Sequence, residues 1–181
     1  MFGVDLKIID EKGRRAPPDG ETSGELFGRG STIVSGYFKN PEASQKQIDD
    51  EGWFGTGDVA KITPDHWLVI VDRTKDLVKS GGEWISSIDV ENAALVVKGI
   101  ANCAVIGVPH PKWNERPLLV VVKAPGANPT KAEILDVLAS KIAKWQMPDD
   151  VVFVDALPMT ATGKISKKDL RAKFADFKLA E

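Results

Sequence analysis

The pattern of the sequence changes at a charged segment, DRTKDLVKSGGEW (residues 72–84), and this change indicates the fold class. Before it, short apolar runs alternate with turns rich in glycine, proline and aspartate, which is typical of small antiparallel β-structure. After it, helical apolar spacing alternates with continuous apolar runs, which is typical of helices packed on a buried sheet. The sequence therefore predicts two domains, residues 1–72 and 73–181.

The first 72 residues predict short strands and one exposed helix. Asn40, Pro41 and Glu42 supply an N-cap, a proline in the first turn and an acid near the positive helix end, so a short polar helix is expected to run to about Asp49. No long amphipathic helix is available to cover the strands, which predicts an incomplete, β-rich part of a larger domain. The strands are predicted from four runs: 4–10, 24–30, 59–63 and 67–71.

The remaining residues predict an α+β domain in which helices cover a short sheet. The helix starts are marked by Ser or Thr with an acid three residues later, at Ser86, Thr130 and Ser166. Helices are accordingly expected at 88–98, at 131–144 and after Ser166, and buried strands are expected at 101–108, 118–122 and 151–154.

Composition disfavours several classes of function, although a local basic patch could still bind nucleic acid or an anionic membrane. With 24 Lys and Arg against 26 Asp and Glu, the net charge of −2 provides no field to attract nucleic acid or an anionic membrane. The single Cys103 cannot form an internal disulfide, and His66 and His110 are too far apart for a metal motif, so no metal site is predicted. The N-terminus lacks the basic leader and apolar run of a signal peptide, and no run approaches the roughly 20 apolar residues of a membrane span. These features predict a cytoplasmic protein.

Three polar segments that contain glycine are candidates for ligand contact, although each on its own is also ordinary turn chemistry. A P-loop is excluded because Pro158 stands where Walker A requires glycine and Ile165 follows Lys164 where it requires Ser or Thr. The SGGE string also lacks the spacing of a dinucleotide fingerprint. The three segments are GWFGTGD at 52–58, DRTKDLVKSGGEW at 72–84 and PMTATGKI at 158–165.

In this order and spacing, the three segments resemble the C-terminal part of the adenylate-forming acyl-CoA synthetase superfamily, which also contains luciferases and peptide-synthetase adenylation domains. GELFGRGSTIVSGYFKNPEAS and VIGVPHPKWNERPLLVVV are similar to further stretches of that family, so the resemblance covers nearly the whole chain. DRTKDLVKSGGEWISS and HPKWNERP are most similar to the medium- and long-chain fatty acyl-CoA ligases. The resemblance implies that residues 1–72 are the end of a large AMP-binding domain and that 73–181 are its mobile C-terminal lid.

The resemblance implies nucleotide contacts for two residues and a hinge at a third. Asp58 matches the acceptor of the ribose hydroxyls, a role suited to a carboxylate that can accept two hydrogen bonds. Arg73 matches an arginine that reaches the same ribose, and a salt bridge to Asp72 or Asp76 is the alternative. Lys75 matches the hinge about which the lid rotates, and its alternative is a solvated surface lysine.

The resemblance also assigns residues to two half-reactions. Lys164 matches the catalytic lysine that contacts the substrate carboxylate and the α-phosphate, where a compact ammonium lowers the repulsion between two anions. Lys79, Gly81, Gly82 and Trp84 match the loop that enters the active site when the CoA thiol attacks the acyl-adenylate, and glycine allows close approach of the backbone. Trp84 either lines the pantetheine arm or anchors the loop, and the anchor is favoured because large aromatic side chains tend to bury.

Other polar residues favour structural interpretations. Cys103 lies in an apolar strand and is expected to behave as a small hydrophobe. His110, between two prolines, is expected to be a loop residue without a nearby partner. For Arg116 a contact to CoA phosphates stays open, because the preceding Asn-Glu departs from the family's common Gly-Glu. The basic residues of the last helix, including Lys167 and Arg171, predict a solvated face.

Two family segments are not found in this sequence: the phosphate loop with its lysine, and the aromatic-x-Thr-Glu segment that helps hold ATP and Mg²⁺. They are expected upstream of residue 1. The chain is therefore predicted to be a C-terminal fragment of an ATP-dependent fatty acid–CoA ligase, inactive alone, with ATP, AMP, CoA and a fatty acid as ligands and Mg²⁺ held through its own large N-terminal domain. The alternatives are a peptide-synthetase adenylation domain, a luciferase-like enzyme and a non-catalytic binding module.

Overall fold

A computed structural model describes residues 3–179, and the chain divides into two compact units, one ending at Lys75 and the other beginning at Asp76. The boundary predicted from the sequence lies close by, at 72/73. The described residues combine nine strands with four α-helices, so the predicted α+β class is confirmed. Within residues 3–179, no helix has the length and apolar character needed to cross a bilayer.

The first unit is an antiparallel sheet with one short helix on its surface. The Asn40 side chain caps the helix by accepting a hydrogen bond from the Ala43 backbone N–H at 3.1 Å, as predicted, and the helix buries none of its residues. The strands follow the order β1-β2-β3-β4, with each pair antiparallel. The elements are β1 (Val4–Ile9), β2 (Gly24–Gly30), α1 (Pro41–Gln47), β3 (Phe54–Ile62) and β4 (Leu68–Arg73).

This first sheet has a small core and an exposed edge. Ile8, Leu26 and Ala60 are buried together on one face. On the edge strand β4, the apolar side chains of residues 68–70 all remain exposed. Because consecutive strand residues point to opposite faces, β4 leaves apolar surface open on both sides of the sheet among the described residues.

The second unit is a five-stranded sheet with helices on both faces. Its strand order is β6-β5-β8-β7, with β9 parallel to β8 and the other neighbours antiparallel. The elements are β5 (Val78–Ser80), β6 (Glu83–Ile85), α2 (Ser87–Leu95), β7 (Ile100–His110), β8 (Asn114–Lys123), α3 (Lys131–Ala139), a 3₁₀ turn (Lys144–Gln146), β9 (Asp150–Phe153) and α4 (Lys167–Lys173).

Alternate residues of β7 contribute to two separate cores. Cys103 and Val105 pack in the core formed with α2 and α3, whereas Ala104 and Ile106 pack on the opposite face with Leu170 of α4. Since both faces of the strand are covered, its apolar run is continuous and does not alternate with polar residues. The prediction of buried strands near 101–108 and 118–122 is confirmed.

Local signals predicted the helix starts better than the helix ends. The side chains of Ser86, Thr130 and Ser166 each accept a hydrogen bond from the backbone N–H three residues later, as predicted. The expected helix over 131–144 is too long, because α3 ends at Ala139. There the Ser140 hydroxyl donates to a backbone carbonyl of the last turn at 2.7 Å, an interaction that competes with further helix.

A hairpin occupies a segment in which the sequence predicts only a charged, irregular connection. Strands β5 and β6 pair through residues 78–85 and are joined by Gly81 and Gly82, hereafter the glycine turn. Their φ angles of +62° and +90° are both in the left-handed region, which two-residue hairpin turns of type I′ require. The Gly-Gly pair between two short apolar runs was the available signal.

Candidate functional site

The two residues predicted to contact a ribose are cross-strand neighbours in the first unit. Asp58 on β3 pairs in register with Arg73 on β4, and Arg73 Nε lies 3.2 Å from Asp58 Oδ1. Their side chains are 34% and 54% exposed, so both remain accessible to a ligand. The alternative acids are engaged differently: Asp76 accepts from Arg171, and Asp72 accepts from the backbone N–H of Arg73.

The Thr-Gly-Asp sequence explains how Asp58 is held at this place. The Thr56 hydroxyl accepts a hydrogen bond from the Asp58 backbone N–H at 3.1 Å and donates to the Leu26 carbonyl on β2 at 3.0 Å. Gly57 adopts a φ of +74°, which few other residues tolerate. The hydroxyl and the glycine together direct the chain so that the carboxylate stands beside Arg73.

Lys164 lies on a short loop closed by its own hydrogen bonds, hereafter the Lys164 loop (residues 159–165). A β-bridge joins Met159 to Ile165, and the Thr160 backbone N–H donates to the Lys164 carbonyl at 2.7 Å. The Thr160 hydroxyl in turn accepts from the Lys164 backbone N–H at 3.1 Å. The Lys164 side chain itself is exposed, so the second unit presents an ammonium on an ordered loop.

The glycine turn lies directly against Trp113. The Gly81 backbone N–H donates to the Trp113 carbonyl at 2.9 Å, and a Cβ atom on Gly81 would lie 2.8 Å from Cε3 of the Trp113 ring. A side chain at this position would therefore have to displace the ring or the turn. Lys79 is exposed and pairs across the hairpin with the half-buried Trp84, so the four residues predicted for the CoA loop share one hairpin.

A cavity of about 550 Å³ opens beside the glycine turn. Trp113 and Trp145 stand on its wall and are 41% and 46% exposed, which is unusual for such large aromatic side chains. Sequence reasoning missed both tryptophans, although each lies in a polar loop near a proline and not in an apolar run. The other side chains of the lining are Ser80, Glu83, Arg116, Lys144 and Asp149.

Arg116 holds the wall of this cavity together. Its guanidinium donates to the Asp149 carboxylate at 2.6 and 2.8 Å, to the Ser80 hydroxyl at 3.0 Å, and to the carbonyls of Trp145 and Met147 at 3.0 Å each. These bonds use all five guanidinium donors. The side chain is only 14% exposed. Arg116 is therefore a structural clamp, and its donors are directed at the protein.

The backbone at Asn114, two residues before Arg116, explains a departure from the family pattern. Asn114 stands where the resemblance places glycine, and it adopts a φ of +68°. Asparagine is among the few residues that enter this left-handed region without a large steric cost. The left-handed conformation at this position is therefore reached without glycine.

Two further residues were predicted to have no chemical role. Cys103 is buried, and burial together with the nearby Glu91 carboxylate raises the pKa of its thiol to about 12. The thiol is thus protonated at neutral pH, which agrees with its interpretation as a small hydrophobe. His110 does have partners, contrary to expectation: its Nδ1 accepts from the backbone N–H groups of Lys112 and Trp113. The imidazole caps the turn that carries Trp113.

The prediction of a solvated basic face on the last helix is wrong for two residues. Lys167 Nζ lies 2.7 Å from Glu91 Oε1, and these side chains are only 12% and 15% exposed. Arg171 donates to Asp76 at 2.8 Å. The sequence could not reveal these pairs because the acids lie far away along the chain.

Neither unit supplies a metal site among the residues that the structure describes. Over residues 3–179, no cluster of three or more His, Cys, Asp or Glu side chains is positioned to hold an ion. These residues therefore do not fit a Mg²⁺ site of their own.

Comparisons with known proteins identify several relatives. Residues 89–164 match the family model described as the AMP-binding enzyme C-terminal domain. The chain is 54% identical over 175 residues to a 3-methylmercaptopropionyl-CoA ligase of Ruegeria lacuscaerulensis, covering 97% of this chain and 32% of that protein. It is 45% identical over 178 residues to a medium-chain-fatty-acid–CoA ligase of Ectopseudomonas oleovorans, covering 98% of this chain and 32% of the relative.

The comparison with solved structures also finds a relative that matches nearly the whole of this chain. The crystal structure of ATP-bound MatB from Rhodopseudomonas palustris matches with a TM-score of 0.87 and 34% identity, over 97% of this chain and 35% of that one. The chain thus spans about a third of the length of the curated relatives that it matches.

Proposed function

Because this chain belongs to the AMP-binding, adenylate-forming enzymes, we propose that it is the C-terminal part of an ATP-dependent acyl-CoA ligase. In the first half-reaction the carboxylate attacks the α-phosphate of ATP, forming acyl-adenylate and releasing pyrophosphate. In the second, the CoA thiol attacks the acyl carbonyl and gives up its proton, forming acyl-CoA and releasing AMP. We place this ligase in the cytoplasm, as the composition predicts.

One observation carries this proposal: the second unit presents the Lys164 ammonium and the glycine turn on two separate exposed turns. Adenylation brings two anions together, and the ammonium stabilises the charge that develops on the carboxylate and α-phosphate oxygens. Because the Lys164 loop is already hydrogen-bonded, its backbone needs little ordering before it contributes the charge. Lys164 is the residue proposed to act in the first half-reaction.

The cavity beside the glycine turn suits the second half-reaction. A pantetheine arm is narrow and flexible, and Gly81 lets the Trp113 ring lie close to the turn, which leaves the cavity beside the ring open to the arm. Trp113 and Trp145 provide aromatic surface along the cavity, and Lys144 adds positive charge that favours the phosphates of CoA. We place Lys79, Gly81, Gly82 and Trp84 in this step, with Trp84 as the anchor of the hairpin.

The first unit contributes the proposed ribose contacts. Asp58 is oriented to accept hydrogen bonds from ribose hydroxyls, and Arg73 can donate to the same group from the neighbouring strand. Lys75, exposed at the end of this unit, is the proposed hinge residue. Hinges require only a few residues that absorb changes in φ and ψ.

The proposed acid is a medium- or long-chain fatty acid, following the motifs in residues 72–87 and 110–117. A second class of substrate is a short acid with a thioether. It is favoured because the chain is 54% identical to the 3-methylmercaptopropionyl-CoA ligase and 45% identical to the medium-chain ligase. Mg²⁺ would have to be held by residues outside the described part of this chain, so no step is assigned to it here.

The test is turnover by the full-length ligase that contains this chain. Saturated fatty acids of graded length and 3-methylmercaptopropionate are supplied with ATP and CoA, and acyl-CoA, AMP and pyrophosphate are measured. We expect all three products for one acid class and no ATP–pyrophosphate exchange by the 181-residue chain alone. Transfer to a carrier protein or light emission in place of acyl-CoA would favour the other superfamily members, and no turnover would favour a binding module.

Replacing Gly81 with alanine is expected to impair the second half-reaction selectively. The new Cβ meets the Trp113 ring at 2.8 Å, so the ring or the turn must move at the entrance of the cavity. We expect transfer of supplied acyl-adenylate to CoA to fall about tenfold, because displacement of about an ångström disrupts alignment of the reacting groups. Adenylation should change by less than about threefold, because Lys164 lies on a different loop.

Gly82→Ala provides the matched control for this effect. Gly82 also has a positive φ, of +90°, but a Cβ atom there would meet no atom within 4 Å. Both substitutions therefore introduce backbone strain of roughly 1 kcal/mol, and only Gly81→Ala adds the contact with Trp113. Equal losses of CoA transfer in the two variants would exclude a role for the contact between Gly81 and Trp113.

A further inference from the structure

Two basic side chains of α4 project to the same side of the helix and end in ion pairs. Lys167 and Arg171 are four residues apart, so they are neighbours on one helical face. Lys167 pairs with Glu91 at 2.7 Å and Arg171 with Asp76 at 2.8 Å. Leu170, fully buried, lies next to them in the core. The helix is therefore attached to the rest of the second unit by charge and by apolar contact.

The Lys167 pair is the more buried of the two and connects three elements. Lys167 Nζ also donates to the Ser87 hydroxyl at 2.6 Å, so it contacts α2 at two residues one helical turn apart. The Glu91 carboxylate in turn accepts from the Val105 backbone N–H of β7 at 2.7 Å. Lys167 thus joins the first turn of α4 to α2 and, through Glu91, to the central sheet.

This attachment lies at the base of the Lys164 loop. Ser166, the N-cap of α4, stands between the loop and Lys167, and its backbone N–H donates to the Pro158 carbonyl at 2.8 Å. The two ends of the loop are therefore fixed to each other and to the start of α4. The position of the loop relative to the sheet depends on where α4 begins, and the Lys167 pair is the contact to α2 that lies nearest to the loop.

We propose that Lys167 is a positioning residue for Lys164, because its ion pair with Glu91 fixes the base of the Lys164 loop in the second unit. The inference rests on the proposed function of Lys164 in adenylation. A catalytic ammonium must reach the reacting oxygens with a tolerance below an ångström, and misplacement of that size lowers rates by one to two orders of magnitude. The glycine turn is held by the pairing of β5 with β6 and by the Gly81 N–H bond to Trp113, so we expect the second half-reaction to be far less sensitive to the pair than adenylation.

The activity test compares variants of the full-length ligase in separated half-reactions. Lys167→Met should lower kcat for adenylation about tenfold, while KM for ATP and acid stays within about twofold. CoA transfer from supplied acyl-adenylate should stay within about twofold. Lys167→Arg, which retains the pair, should recover most of the adenylation rate. Lys168→Met, at the exposed neighbouring position, is the matched control and should behave like the unaltered enzyme.

A second measurement does not depend on activity. In the 181-residue chain, Lys167→Met should raise the amide exchange rates of Thr160 and Ser166 about tenfold, while the Val120 amide in the sheet core changes little. Glu91→Gln, which keeps the shape of the side chain and removes its charge, should act in the same direction with a smaller effect. It also provides a folded variant if Lys167→Met does not fold.

The outcomes separate this inference from the proposed function. Loss of both half-reactions in equal proportion, or faster exchange throughout the second unit, would make Lys167 a general stability residue and overturn the inference. An adenylation rate no lower than that of Lys168→Met would overturn it too. If the unaltered ligase forms no acyl-adenylate, the proposed function fails, and the exchange rates still decide whether Lys167 fixes the loop.

Discussion

Replacing Lys164 with alanine in the full-length ligase is expected to slow formation of acyl-adenylate by about 10²- to 10³-fold, the usual effect of removing one preorganised group that stabilises developing charge. Transfer of supplied acyl-adenylate to CoA should remain within about threefold, because the carboxylate and the α-phosphate are already joined in that substrate. The measurement is ATP–pyrophosphate exchange for the first half-reaction and acyl-CoA formation for the second.

Two further substitutions make this expectation specific. Lys164→Arg keeps the charge but replaces a compact ammonium with a planar guanidinium, so we expect only partial recovery of adenylation. Lys168→Ala removes the same charge from an exposed position on α4 and should leave both rates within about twofold, because salt screens exposed charges beyond about 10 Å. Equal loss of both half-reactions in Lys164→Ala would count against the assigned role.

The features that the sequence predicted correctly depend on residues close together in the chain. The caps at Ser86, Thr130 and Ser166 bond to the backbone N–H three residues ahead, so residue type and spacing suffice to identify them. The buried strands are equally local, because burial on both faces of a strand produces a continuous apolar run. Helix ends were less predictable, because apolar residues at helical spacing continue to Ile142 although α3 ends at Ala139.

The features that the sequence missed depend on residues far apart in the chain. Arg116 and Asp149 are 33 residues apart, and Lys167 and Ser87 are 80 apart. A basic residue in the first turn of a surface helix is usually solvated, and only the fold reveals that Lys167 is not. The cavity beside the glycine turn was missed for the same reason, since Trp113 and Trp145 lie in separate segments of the chain and line one cavity only after folding.

For the candidate site too, the sequence identified individual residues and the structure shows how each one is held. The sequence motif identified Asp58 and Arg73 separately, and the structure adds that they are register partners across two strands of the first unit. For Lys164 the motif gave the residue, and the structure adds that its loop is closed by a β-bridge and by its own hydrogen bonds. The assigned roles of all three residues stay predictions, and the half-reaction experiments test that of Lys164.

Replacing Arg116 with methionine is expected to destabilise the second unit by about 2 to 4 kcal/mol. The substitution keeps most of the aliphatic stem but leaves the Asp149 carboxylate, which is 29% exposed, without its partner at 2.6 Å, and a hydrogen bond to a charged group contributes about 1.5 to 3 kcal/mol. Two backbone carbonyls, of Trp145 and Met147, also lose their donors. The measurement is urea unfolding of the chain, followed by the exchange rate of the Asp149 amide, which donates to the Pro117 carbonyl.

Lys131→Met is the matched control. Lys131 pairs with Asp150, the residue after Asp149, at the same distance of 2.6 Å, but the Lys131 side chain is 51% exposed whereas that of Arg116 is 14% exposed. An exposed pair contributes about 0 to 1 kcal/mol, so its loss should have little effect.

Arg116→Met combined with Asp149→Asn should recover part of the stability that Arg116→Met loses, because the unpaired charge is removed. A loss below about 1 kcal/mol for Arg116→Met would mean that the clamp does not hold the cavity wall. With the expected loss, Trp145 is released from the wall, and CoA should then bind more weakly in the full-length ligase even where acyl-adenylate still forms.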